Sequence, residues 1–197
     1  MQRSKALLDA GGITFLERAI GALRDAGCDT VHAVVAADDE AAAACAETAG
    51  AIVVRNPEPR SEPVDSVRIG LRASGDAAAV VVLPVDAPLV RAETVIALLS
   101  AFRERQPALA VPVAAGRQGH PLILSCRLFG EVLMRDLPDG LHTLLVDHAD
   151  ALLEVAVLDG AVHDDIDTPG DYERVFGTSP GKLAAPDTRR PAGGQDG

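Results

Sequence analysis

The 197-residue chain has no tryptophan, one tyrosine and four phenylalanines, which argues against a protein that stacks bases on an aromatic platform. Its three cysteines, Cys28, Cys45 and Cys126, are odd in number and form no CxxC pair. That excludes a disulfide framework and a zinc signature, and a reducing cytoplasm fits best. Positive charge is also scarce: 18 Lys and Arg stand against 29 Asp and Glu, for a net charge of -11. Neither nucleic acid nor an anionic membrane is the main partner of such a surface. No apolar run is long enough to span a bilayer, and the opening MQRSKALLDAGG lacks the apolar core of a signal peptide.

What is present is a 48% hydrophobic composition, enough to bury one full core, so one domain is expected. Thr14 with Glu17 predicts a capping-box helix start, with Leu16, Ile20 and Leu23 on one stripe. Residues 31–36 read as a buried strand, 38–50 as a helix with acids at its positive end, and 51–54 as another strand. Asp65 or Ser66 is the expected cap of a helix through Leu71. Residues 78–83 are the most apolar run and predict a central parallel strand covered on both faces. An amphipathic helix follows on Val95, Leu98, Leu99 and Phe102. Further strands are expected at 109–113, 122–124 and 152–158, with helical material at 127–134, 141–149 and 171–176. Strand and helix alternating in this way mean an α/β layered fold with a mostly parallel sheet. From Thr178 the composition (one Leu, three Pro, four Gly) cannot offset its ordering entropy. The expected organisation is therefore a domain over 1–177 and a disordered tail over 178–197.

Asp86 lies just past the end of the most apolar strand, where open α/β sheets bind ligands, and there a carboxylate can hold Mg²⁺ between phosphate oxygens. An aspartate opening a turn before Pro88 is the competing reading. The acids Asp164, Asp165, Asp167 and Asp171 surround Thr168-Pro169, which reads equally as an ordinary helix start. The start explains one residue of the cluster but not its density, so one of these acids is expected to complete a metal site with Asp86. Gly116 and Gly119 permit close approach of backbone to a ligand, and Arg117 can meet an anion; a hairpin turn explains them as well. His120 is an acid/base candidate or a structural histidine beside that turn. Lys5 alone reads as a surface lysine; together with Arg3 it can form a small phosphate-binding patch, because their charges oppose a triphosphate, and composition does not decide between the two.

Taken in order, residues 5–20 (KALLDAGGITFLERAI), 56–71 (NPEPRSEPVDSVRIGL), 81–90 (VVLPVDAPLV), 116–124 (GRQGHPLIL) and 164–175 (DDIDTPGDYERV) resemble the MobA-like NTP transferases. Within them the chain is most similar to the molybdenum-cofactor cytidylyltransferase type, where GHP and DIDTP recur. The resemblance covers roughly residues 1–176. It implies a Rossmann-like three-layer α/β/α fold that binds a nucleoside triphosphate (CTP or GTP) with Mg²⁺. It also implies transfer of the nucleotidyl group to a phosphorylated acceptor, molybdopterin in this subgroup, with release of pyrophosphate, and a molybdoenzyme or its chaperone as onward partner. On these residues, Asp86 becomes the metal ligand, Asp167 the second acid, and Lys5, with Arg3, the triphosphate contact. Ser66, in the family's Ser-containing helix start, is a further binding residue. Gly119, His120 and Pro121 border the acceptor pocket. No protein nucleophile is needed.

Three departures accompany the resemblance. The family opens with a strand and a loop of the form LAAGxSxRMGxxK. Here Met1 aligns with the Met of that motif and Gln2 replaces its last Gly. The expectation is a start codon further upstream, and a sheet in which two neighbours of the family's first strand lack a ladder partner. Glu62 stands where the family usually has Gly, and His142 where an Arg is common. Two other readings stay open: the same transfer to a sugar phosphate or phospholactate, and a non-catalytic cofactor-binding protein.

Overall fold

A computed structural model describes residues 4–58, 61–177 and 179–180. Arg3 and nearly all of the proposed tail lie outside the described residues. Local sequence signals set most element starts. Thr14 Oγ1 accepts from the Glu17 N–H at 3.1 Å while Glu17 Oε2 accepts from the Thr14 N–H at 2.7 Å, so the expected capping box opens α1 (Phe15–Asp25). Asp39 caps α2 (Glu40–Thr48) by accepting from the Ala42 N–H at 3.0 Å. Helix α3 (Pro63–Ala73) begins earlier than a cap at Asp65 or Ser66 requires. Pro63 fills its first turn, where a missing N–H costs nothing, and Asp65 instead accepts from the Glu62 N–H at 3.0 Å.

The strands are β1 (His32–Ala36), β2 (Ile52–Asn56), β3 (Ala79–Val82), β4 (Leu109–Ala114), β5 (Arg117–Gln118), β6 (Leu122–Ser125) and β7 (Leu152–Ala156). The remaining helices are α4 (Ala92–Arg105), α5 (Phe129–Met134), α6 (His142–Asp147) and α7 (Pro169–Phe176). The α/β class is as expected, but the ladders are mixed rather than mostly parallel. β1–β2 and β4–β7 are parallel, whereas β6 runs antiparallel to both β3 and β4, and β5 returns against β4 as a hairpin.

Among the described residues the strands fall into two sheets. β1 and β2 form one; β3, β6, β4, β5 and β7 form the other. Among the described residues no ladder joins β1 to β3, so each is paired along one edge only. β3 is therefore not the central covered strand that its apolar run predicts: all four of its residues are half-buried, because a strand with one ladder has an open side. Helices span the division. Leu16 and Ile20 of α1 share a cluster with Ala33 and Val35, while Leu23 of the same helix also packs against Ala87, Val90 and Val95, the cluster that Val81 and Leu83 border. On α3, Gly70 lies against Val34, whereas Val64 and Leu71 join Leu122 and Leu124.

The larger sheet is covered on both faces, and the alternation of its strands shows how. Leu109, Val111, Leu122 and Leu124 point to one face, with Leu128, Val132, Leu137 and Leu144. Ala110 and Ile123, the intervening residues, point to the other and meet Leu98 and Phe102 of α4. Helix α7 closes the chain onto α1 through Phe15, Tyr172 and Phe176, with ring centroids 4.8–6.1 Å apart. Among the described residues no helix is long and apolar enough to cross a membrane.

Candidate active site

The site forms where three separate segments reach the same end of the larger sheet. Asp86 follows β3. The register pairing Val82 with Leu122 places the residues before β6, Gly119 to Pro121, alongside the turn that leads to Asp86. The third segment follows β7 and carries residues 164–167; the Ile166 N–H donates to the Asp86 carbonyl at 2.7 Å, fastening this loop to the end of β3. Lys5 lies on a short 3-10 turn (Lys5–Leu7) whose Ala6 and Leu7 pack against the cluster that holds Ala33 and Val35 of β1.

The Lys5 ammonium donates to Asp167 Oδ1 at 2.7 Å and to Asp86 Oδ2 at 3.3 Å. Burial alone would lower its pKa, but the hydrogen bond it donates to Asp167 and the charge of Asp86 outweigh this and hold it above the ordinary lysine value. Asp165 stands on the far side, with His120 Nε2 3.8 Å from its Oδ1. Burial pushes the Asp165 carboxyl up, and the neighbouring charges of Asp86 and Asp167 add to the rise against His120 and Lys5. The structure thus brings together Lys5, Asp86, Asp167 and His120, all named from the sequence, and adds Asp165 from the same acidic run.

The acidic run divides its labour. Thr168 Oγ1 accepts from the Asp171 N–H at 3.1 Å, and Asp171 Oδ2 accepts from the Thr168 N–H at 3.0 Å. These bonds make Asp171 a cap of α7, its carboxyl lowered to about 2 first by Thr168 and then by Arg174. The helix start therefore accounts for Thr168 and Asp171, while Asp165 and Asp167 face Lys5 and His120. Asp159, unremarked in the sequence, sets where the run begins. It is buried and accepts from Thr94 Oγ1 at 2.8 Å and from the Ala161 N–H at 3.2 Å, and it pairs with Arg91 at 3.1 Å.

Ser66 is not brought to this cluster. It sits 3.4 Å from Asn56 Nδ2 at the end of β2, where the buried Asn56 also donates to Ser61 at 2.7 Å. His142 lies apart too, in an open cleft of about 590 Å³ lined with Gln118, Val146, Leu152 and Glu154, which shares no residue with the acids.

A divalent cation suits the cluster on charge and donor type. Three carboxylates against one ammonium leave an excess of negative charge where an anionic substrate would have to sit. Asp86 and Asp167 offer hard oxygen donors to one point, the Lys5 ammonium. Among the described residues no three His, Cys, Asp or Glu side chains converge to cage an ion. An ion here must complete its shell with water or substrate oxygens, as Mg²⁺ commonly does.

The sequence model of the MobA-like NTP transferase domain matches residues 1–152. Among solved structures, Rv0371c from Mycobacterium tuberculosis H37Rv is 26% identical with a TM-score of 0.75, covering 90% of this chain and 91% of that one. A complex of Rv0371c with manganese is 27% identical with a TM-score of 0.74, covering 90% of this chain and 94% of that one. The 4-diphosphocytidyl-2C-methyl-D-erythritol synthase of Anaerococcus prevotii shares the fold at 14% identity. Its TM-score is 0.69, with 89% of this chain and 93% of that one covered. No curated protein matches the chain.

Proposed function

The chain belongs to the MobA-like NTP transferase family, and we propose that it transfers a nucleotidyl group, CMP in preference to GMP, from an NTP to the phosphate of a molybdopterin acceptor, releasing pyrophosphate. The transferase unit is taken as residues 1–177. One observation carries the reading: Lys5 bridges Asp86 and Asp167 at the ligand-binding end of the larger sheet, beside His120 and Asp165. The preference for molybdopterin rests on the GHP and DIDTP sequences at residues 119–121 and 165–169, and CMP follows only from the cytidylyltransferase type in which they recur.

In this reading Asp86 and Asp167 hold a divalent cation, taken as Mg²⁺. The cation supplies neutralisation of charge on the phosphate oxygens and so lowers the cost of attack at the α-phosphorus. Manganese bound to Rv0371c makes a divalent metal in this fold reasonable. Lys5 presents its ammonium to the leaving phosphates. Asp86 and Asp167 accept the two bonds of that ammonium, and a cation taken up by the same carboxylates would release it to the triphosphate. An oxygen of the acceptor phosphate attacks the α-phosphorus, and the bond to the leaving pyrophosphate breaks with its electron pair. No side chain is consumed, and the protein's contribution is alignment and charge.

The test is pyrophosphate release from CTP and from GTP with molybdopterin, with and without Mg²⁺. Metal-dependent release, faster with CTP, is expected. Release only with a sugar phosphate or phospholactate would reassign the acceptor. A folded chain that binds molybdopterin and releases no pyrophosphate would make the protein a carrier and Asp86 vestigial.

A further inference from the structure

His120 is fixed through its backbone and free in its side chain. A Cβ on Gly119 would lie 2.3 Å from the Val162 carbonyl oxygen, so only glycine permits the approach of the two chains there. The Gly119 N–H donates to Pro112 at 3.0 Å and the His120 N–H to Val162 at 2.8 Å. The segment is held on both sides. The imidazole itself is 37% exposed, and among the described residues neither ring nitrogen is hydrogen-bonded; the Asp165 carboxylate stands 3.8 Å from Nε2. Two other histidines differ: His148 meets Glu131 at 2.8 Å and His163 meets the Arg117 carbonyl at 2.9 Å. A side chain whose backbone is pinned, and whose ring is left unused beside a charged cluster, is placed to meet a ligand.

Resting on the transferase reading above, we propose that the His120 imidazole binds the phosphate group of the acceptor, with Asp165 as the positioning residue that orients the ring. The chemistry selects a phosphate monoester. An imidazolium has two N–H donors pointing apart; one can serve Asp165 while the other serves an anionic phosphate oxygen. The nearby ammonium, Lys5, is already divided between Asp86 and Asp167. His120 therefore offers the acceptor a hydrogen-bond partner of its own, cationic when both ring nitrogens carry protons, and leaves Lys5 to the triphosphate. Only a hydrogen bond is made; no proton is transferred and no bond to the protein forms.

The experiment has two readouts on the full chain. Ring signals of ¹⁵N-labelled histidine are followed by NMR while phenyl phosphate, a simple phosphate monoester, is added. Steady-state KM values for molybdopterin and for CTP are measured for the wild type, His120→Ala and His120→Asn, each checked for an unchanged thermal midpoint. The proposal expects the His120 signal to move. His120→Ala should raise the acceptor KM about tenfold or more, as loss of a charge-assisted hydrogen bond does, with the CTP KM within about twofold; His120→Asn, which keeps a donor, should recover part of the loss. A stationary His120 signal overturns the proposal, as does an acceptor KM that His120→Ala leaves unchanged or an equal rise in both KM values. Should the wild type release no pyrophosphate, the transferase reading fails, and the ring signal still decides whether His120 takes a phosphate ester.

Discussion

The two sheets are built from different stock. Beneath β1 and β2 the core is largely alanine: Ala33, Ala42, Ala43, Ala46 and Ala51 are buried, with Leu16, Ile20, Val31 and Val35. Beneath the larger sheet it is leucine and valine, with Leu109, Leu122, Leu124, Leu128, Leu137 and Leu144 in one cluster. A buried alanine removes far less apolar area from water than a leucine, and burial stabilises by about 25 cal/mol per Å². The larger sheet therefore carries most of the stability, and it also carries Asp86, His120, Asp165 and Asp167. The turn that carries Lys5 packs against the alanine-rich cluster, with Ala33 and Val35 of β1. The candidate site thus lies on the seam between the two sheets, and its central contact crosses that seam.

The largest effect expected from this contrast is on folding. Leu124 is fully buried in β6, and Leu124→Ala should cost about 2–5 kcal/mol. Ile20, equally buried but in the alanine-rich region, falls in the same range of about 2–5 kcal/mol as Ile20→Ala, and the contrast between the sheets places its loss below that of Leu124→Ala. Denaturant unfolding checks both. One shared transition means that α1 and α3 couple the sheets into one cooperative unit; two transitions would break the molecule at the seam. In the same sense, amides of β4 and β6 should exchange more slowly than those of β1 and β2.

Lys5→Met sharpens the comparison on the side of function. The bridge it removes is partly solvated, with Lys5 at 36% and Asp167 at 64% exposure, and such pairs contribute at most about 1 kcal/mol to stability. Pyrophosphate release should fall about 10²–10³-fold, the scale seen when one preorganised donor to developing charge is lost. A drop in the thermal midpoint comparable to that of Leu124→Ala would instead make Lys5 a structural fastener of the seam.

The features legible in the sequence were those with short-range causes. Thr14 with Glu17 and Thr168 with Asp171 are three residues apart, so their capping bonds follow from local chemistry alone. Asp86 was legible because an acid after an apolar strand has a characteristic place in such sheets. Lys5 on its own reads as a surface lysine; composition left its phosphate patch with Arg3 undecided, and its triphosphate role came from the family resemblance. The division of the sheet was harder to see, because a run such as 79–82 looks the same whether it has one ladder or two. Asp165 was hidden among acids of similar standing until the β3–β6 register set His120 beside it. Asp159 gave no signal, since its partners Thr94 and Arg91 lie more than sixty residues away in the chain.

Asp159 offers the subtlest test, because it fastens the start of the acidic loop to the first turn of α4 without touching the site. Burial would raise its carboxyl, but Arg91, Thr94 and the Ala161 N–H outweigh this and hold it below the ordinary aspartate value. A lowered folded pKa means that the unfolded chain takes up the proton first. The stability Asp159 contributes is therefore present above the unfolded value of about 3.9 and disappears as pH falls through the lower folded one. Asp159→Asn removes the charge at every pH, so at neutral pH it should cost about 1.5–3 kcal/mol, the range for a hydrogen bond to a charged group. Below about pH 4 the difference from the wild type should shrink, and thermal midpoints measured from pH 7 down to pH 3 follow it. Because the Ile166 N–H ties this loop to Asp86, a loosened anchor should also raise the KM of the acceptor slightly. A difference that stays constant with pH would show that Asp159 acts through packing and shape, and that the charge on Arg91 adds nothing to holding the loop.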